Sequence, residues 1–160
     1  MRKFLFTIVF ALITICLISC TADTNQYIED LKTENIFGLA KLEIQSHLDI
    51  HNNTVVRDRV NERTVVTTFT NSMVTLDLSS VDTKYSIESV YAISGTSTTT
   101  HTGEDIYGYP TVIHDDITFS LRGKTHRIEK ETVLYGDGKG RNTLEIVDGR
   151  SYNPSDFSLN

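Results

Sequence analysis

Residues 111–135 read TVIHDDITFSLRGKTHRIEKETVLY. Ile113, Ile117, Phe119 and Leu121 fall on alternate positions, so one face of an extended chain is apolar there. Arg122-Gly123-Lys124 interrupts the alternation with residues suited to a tight reversal, and Thr125–Tyr135 resumes a strand-forming run. The stretch predicts a β-hairpin.

Working outward, the same grammar recurs. Upstream, runs at Thr54–Val60 and Thr64–Thr70 are separated by Asn61-Glu62. After Asn71-Ser72 come Val74, Leu76 and Leu78, then Tyr85, Ile87, Tyr91 and Ile93 with Ser89 on the same face. Downstream, the loop Gly136–Gly140 leads to Asn142–Val147, and Asp148-Gly149 turns into a tail, 151–160, in which Pro154 is expected to prevent pairing. Ser94–His101 is almost entirely Ser, Thr and Gly, so it reads as an edge strand or exposed loop. Leu42, Ile44, Leu48 and Ile50 alternate with polar residues and predict a further strand over 39–51. Before it, Asp23 or Thr24 is placed to cap a short helix over 24–36, with Gly38 as its stop. The fold class that follows is all-β: an antiparallel β-sandwich or up-and-down barrel of about eight or nine strands, preceded by a short N-terminal helix.

Parity raises a question at Asp115, which shares the odd-numbered face of Ile113, Ile117 and Phe119. Either it is a partly buried carboxylate that needs a partner, or a β-bulge turns it outward; the bulge is the preferred expectation.

The first twenty residues, MRKFLFTIVFALITICLISC, have a different character. Arg2 and Lys3 precede an apolar run from Phe4 to Ile18, the pattern of an export signal, shorter than the roughly 20 residues that span a bilayer. Leu17-Ile18-Ser19-Cys20 resembles the lipobox of bacterial lipoproteins. That resemblance implies cleavage before Cys20, lipidation of its thiol and acylation of the new amine, leaving a membrane-attached envelope protein. Thr21 follows the cysteine where an aspartate would signal inner-membrane retention, which implies the outer membrane in a Gram-negative host, facing the periplasm or the surface. The implied domains are a signal peptide over 1–19, the lipidated cysteine and helix over 20–38, a β-domain over 39–150 and a tail over 151–160.

The cysteines are Cys16 and Cys20, so a body beginning at Cys20 has no thiol for a disulfide, a nucleophile or a thiolate metal site. The net charge is −6, and removal of Arg2 and Lys3 makes the body more acidic still. Such a body repels phosphate backbones, so nucleic acid is not an expected partner. Its surplus of acids would suit a basic protein or a cation.

Candidate sites are few. His47, Asp49 and His51 would share a face of the strand expected over 39–51, and His114, Asp116 or His126 could complete a metal site from another strand. His47 and His51 alone stand about 13 Å apart on a strand, too far to grip one ion. The Gly136–Gly140 loop lacks phosphate-loop spacing, and no G-x-S-x-G elbow is present. No catalytic constellation or cofactor motif emerges. The expected function is therefore a non-enzymatic envelope lipoprotein that binds a protein partner through an exposed edge or acidic face. The alternatives are a barrel holding a small ligand, and a metal-dependent hydrolase built on His47, Asp49, His114 and Asp116.

Overall fold

The computed structural model describes residues 2–48, 50–51, 53–104 and 108–158, with side chains described from Thr24 onward. A helix, α1 (Arg2–Ser46), leads into eight antiparallel strands. These are β1 (Val55–Asn61), β2 (Thr64–Asp77), β3 (Ile87–His101), β4 (Thr111–Leu121), β5 (Lys124–Tyr135), β6 (Lys139–Val147), β7 (Arg150–Ser151) and β8 (Ser155–Ser158). The strands form one sheet in chain order from β1 to β7, with β8 also on β6. The expected all-β class and its leading helix are both present. The sheet is open, and the layer packed on its inner face is α1.

Two turns explain why the strands follow one another so closely. Arg122 (φ 51°) with Gly123 (φ 78°), and Asp148 (φ 50°) with Gly149 (φ 81°), both take the left-handed conformation that a two-residue hairpin requires. The hairpin expected over 111–135 forms in unbroken register, from Thr111 opposite Leu134 to Leu121 opposite Lys124.

Helix α1 continues where a strand was expected. Its buried apolar residues are Ile36, Phe37, Ala40 and Ile44, spaced as one stripe of a helix. Leu42 and Ile50, which strand alternation would bury with Ile44, are 65% and 70% exposed. A run holding Leu42 and Ile44 fits either period, and packing against the sheet selects the helical one. Gly38 is consequently mid-helix rather than a stop, and the expected N-cap at Asp23 or Thr24 lies inside α1.

Four further expectations are corrected. Asn71-Ser72 is no turn: Asn71 (φ 52°) sits at a bulge within the continuous strand β2, and Ala92 (φ 51°) sits at a matching irregularity in β3. The second bulge switches parity, so that Val90 and Ile93 are both buried while Ile87 and Tyr91 face water. The Ser/Thr run 94–101 lies in β3, hydrogen-bonded to β2 on one side and β4 on the other, not at an edge. Its small side chains suit that crowded position: a Cβ on Gly95 would lie 2.1 Å from the carbonyl oxygen of Asp116. The C-terminal tail does pair, with Ser155–Ser158 lying along β6 beyond Pro154. At Asp115 there is no bulge, and its carboxylate is buried.

The core joins the α1 stripe to Phe69, Val90, Ile117, Phe119, Ile128 and Val147. The rings of Phe37 and Phe119 stack with centroids 6.4 Å apart. Adjacent helix positions should therefore respond in opposite senses. Phe37→Ala should cost about 3–5 kcal/mol through the cavity it leaves. Gly38→Ala, whose added Cβ meets nothing within 4 Å, should gain about 1 kcal/mol of helix propensity. Urea midpoints of the two variants check both; a destabilised Gly38→Ala would contradict the open space above that residue.

Candidate functional site

The register places one row of side chains across the inner face: Arg57, Thr67, Ser97, Asp115, Lys130 and Glu145, each directly opposite the next. Thr67, Ser97, Asp115 and Glu145 are buried, and α1 supplies charged partners to Asp115 and Lys130. Lys41 donates to both oxygens of Asp115 at 2.7 and 2.9 Å, and Lys130 donates to Glu34. Farther toward the start of the helix, Arg150 donates to Asp30 through Nε at 2.5 Å and Nη2 at 2.6 Å, joined by Tyr152 and by Gln26 at 2.9 Å.

These carboxyls titrate in opposite directions. Burial pushes the Asp30 carboxyl up, but the hydrogen bonds from Arg150, Tyr152 and Gln26 outweigh it and hold the group below its ordinary value of 3.8. Glu145 moves above its ordinary 4.5, chiefly because it is buried and then because Glu34 lies nearby. The contact between α1 and the sheet thus holds one carboxylate, Asp30, that welcomes its charge and another, Glu145, that resists it.

Beside the row, a cleft of about 310 Å³ opens between α1 and the sheet, lined in part by Phe37, Gly38, Leu42, Ile113 and Thr132. It is shallow, because α1 occupies the face that a closed barrel would enclose. His126, at the other side of the core, stacks on Phe119 and bonds Asp148 through Nδ1 at 2.9 Å.

The weak metal candidates do not meet. His47 lies just past the end of α1, bonded to Ser46 and Glu43, and His51 lies in the turn that follows. His114 and Asp116 leave β4 on the face opposite Asp115, where Asp116 pairs with Arg127 at 3.0 and 3.1 Å. Asp49 is outside the described residues, as is the side chain of Cys20. Among the described residues no three His, Cys, Asp or Glu side chains are grouped to hold an ion.

What remains open is strand β1. It ends the sheet, pairing among the described residues only with β2, and all its residues after Val55 are exposed. Thr70 donates its amide to Thr54 at 2.7 Å. Antiparallel ladders alternate, so Val56 and Asp58 turn their backbone groups toward β2, while Arg57 and Arg59 present theirs at the free edge. Their side chains share the side of buried Val55, Val56 and Asp58 project from the other, and exposed Val60 sits at the irregularity between Arg59 and Asn61. The sequence runs V-R-D-R-V from Val56 to Val60, with Val56 50% and Val60 64% exposed. Three consecutive charges of alternating sign, Arg57, Asp58 and Arg59, stand in the sequence; that this strand would be the edge does not, because strand order is set by pairing.

No protein-family model, curated protein or solved structure matches this chain.

Two experiments follow from these geometries. Asp30→Asn should lose about 2 kcal/mol at neutral pH, since the pair is buried on one side only, Arg150 being 42% exposed. The lowered value of Asp30 means that its contribution is complete above pH 3.8 and fades as pH falls through the lower folded value. The raised value of Glu145 means the reverse, a cost that grows as pH rises above 4.5. Stability measured from pH 2 to 7 should accordingly lose part of its acid-side slope in Asp30→Asn, whereas Glu145→Gln should be more stable than the parent at pH 7. The second experiment compares prolines along β1. Arg57→Pro removes an amide that bonds nothing in the sheet and should cost less than about 1 kcal/mol, whereas Asp58→Pro breaks the ladder and should cost at least about 1–3 kcal/mol more. Equal losses would show that the free edge has been assigned to the wrong residues.

Proposed function

We propose that this protein is a lipid-anchored component of the bacterial cell envelope, non-enzymatic, whose β-domain binds a protein partner by adding the partner's strand to β1. The observation that carries the reading is the uncovered β1 edge, which offers backbone groups at Arg57 and Arg59 beside exposed Val56 and Val60. Strand addition uses backbone hydrogen bonds for affinity and alternate side chains for selection, and β1 has both. The filled inner face argues for surface recognition over enclosure of a small ligand.

The anchor reading rests on the lipobox resemblance at Leu17–Cys20. Several acyl chains at about 0.8 kcal/mol per buried methylene give durable attachment. Cys20 precedes the clamped residue Asp30 by ten positions, about 15 Å if helical, so the domain would ride close to the bilayer. With Thr21 after the cysteine, an outer-membrane position is proposed for a Gram-negative host.

Both halves are testable in cells producing the full chain. Cys20→Ala should lose incorporated palmitate and leave the membrane fraction. A photo-crosslinking residue at Val60 should yield a discrete adduct that one at Ile87, equally exposed but away from β1, does not. Arg57→Pro, which keeps the fold, should abolish that adduct. Adducts of equal yield from both positions, or an adduct unaffected by proline, would refute binding at the edge.

A further inference from the structure

Every lysine and arginine with a described side chain lies within 4.0 Å of a carboxylate oxygen except Arg57, Arg59 and Arg63. The exceptions all belong to β1 and the turn that ends it. In a chain with 21 acidic against 15 basic residues, cations without partners are not a matter of scarce carboxylates. Arg57 is moreover the last member of the row that crosses the inner face. Reading inward from the far side, that row holds Glu145, Lys130 and Asp115, then Ser97 and Thr67, then Arg57. Signs alternate along it, and the next position lies outside the molecule.

From this we infer the partner's chemistry: the β1 edge takes an extended protein segment with acidic residues on alternate positions, a basic residue between them and apolar residues on either side. The inference rests on the strand-addition reading above and specifies it. A strand docked on β1 would hydrogen-bond at Arg57 and Arg59, so its own residues at those places stand directly opposite, with Cα atoms about 5.5 Å apart and side chains on the same side. Carboxylates there meet guanidinium groups that no internal acid occupies, in the bidentate geometry arginine favours. Opposite Asp58 a basic residue fits, and opposite Val56 and Val60 apolar ones. Arg63, in the turn, widens the positive field at the same end.

The same pattern rejects a second copy of this chain. V-R-D-R-V reads alike in both directions, so antiparallel self-pairing centred on Asp58 sets arginine against arginine and aspartate against aspartate. A shift of two residues either way still opposes one arginine to its own copy. Like charges directly opposite are destabilising, and a one-residue slip would place valines against charges from the wrong face. The edge is guarded against itself while it stays open to a complementary strand.

The test uses the full chain in a neutral detergent, at low ionic strength, with fluorescent peptides. One carries Thr-Val-Glu-Lys-Glu-Val-Thr, its charge-reversed form carries Thr-Val-Lys-Glu-Lys-Val-Thr, and a third is the first with its edge-facing amides N-methylated. The first peptide should bind about tenfold or more tightly than the second, since two cross-strand pairs change from opposite to like charge. It should slow hydrogen exchange at the amides of Arg57 and Arg59, and the methylated form should do neither. In the double variant Arg57→Glu/Arg59→Glu the order of the first two peptides should reverse. Protection of both amides by both peptides with equal affinities, or no reversal in the double variant, would overturn the charge specificity and leave strand addition standing. Binding that survives N-methylation would show charge attraction to the arginines without strand pairing, and would overturn strand addition. Absence of protection at Arg57 and Arg59 with every peptide would overturn the edge reading itself.

Discussion

Helix α1 is held on the sheet by three groups of buried charge: Asp30 with Arg150, Glu34 with Lys130, and Lys41 with Asp115. The energy of docking comes mainly from Ile36, Phe37 and Ile44, each worth roughly 1.5–3 kcal/mol when fully buried. An apolar stripe can slide or rotate by a fraction of a turn at little cost, whereas a buried carboxylate displaced from its cation is left desolvated and unpaired. The ion pairs therefore set the crossing of α1 over the sheet. Everything else about the inner face depends on that placement.

One consequence is that a single open sheet is stable without closing on itself. The helix covers the centre of the inner face, from the Tyr27–Tyr152 contact at one side to Ile44 near β2 at the other. The strands beyond its reach need not be apolar, and β1 accordingly carries Arg57 and Arg59 on the side that in β4 carries Ile117 and Phe119 farther along. Among the described side chains, Lys130 and Arg150 find carboxylates on α1, whereas Arg57 and Arg59 of β1 have none within 4.0 Å. The helix thus decides both what the core is and which edge it leaves uncovered.

Legibility in the sequence followed the range of the forces concerned. The β4–β5 hairpin and the Asp148-Gly149 turn depend on residues within a few positions and were readable. Asp115 was readable as a question, since parity placed it inward; the answer needed Lys41, 74 residues away. The Ser/Thr run of β3 looked like an edge because polarity was read without its neighbours, yet between β2 and β4 small hydroxylated side chains pack well. The metal candidates His47 and His51 assumed a strand where the chain is turning at the end of α1, so they share no strand face.

By itself the sequence determined the strand-rich class, the tight turns, the absence of thiols after Cys20 and the apolar run from Phe4 to Ile18, all properties of local spacing and composition. Tertiary structure decided the period of 39–46, the burial of Asp115, the central position of β3 and the edge position of β1. Each of these turns on what lies opposite, and a residue's opposite number is fixed only when distant segments pair and exclude water together.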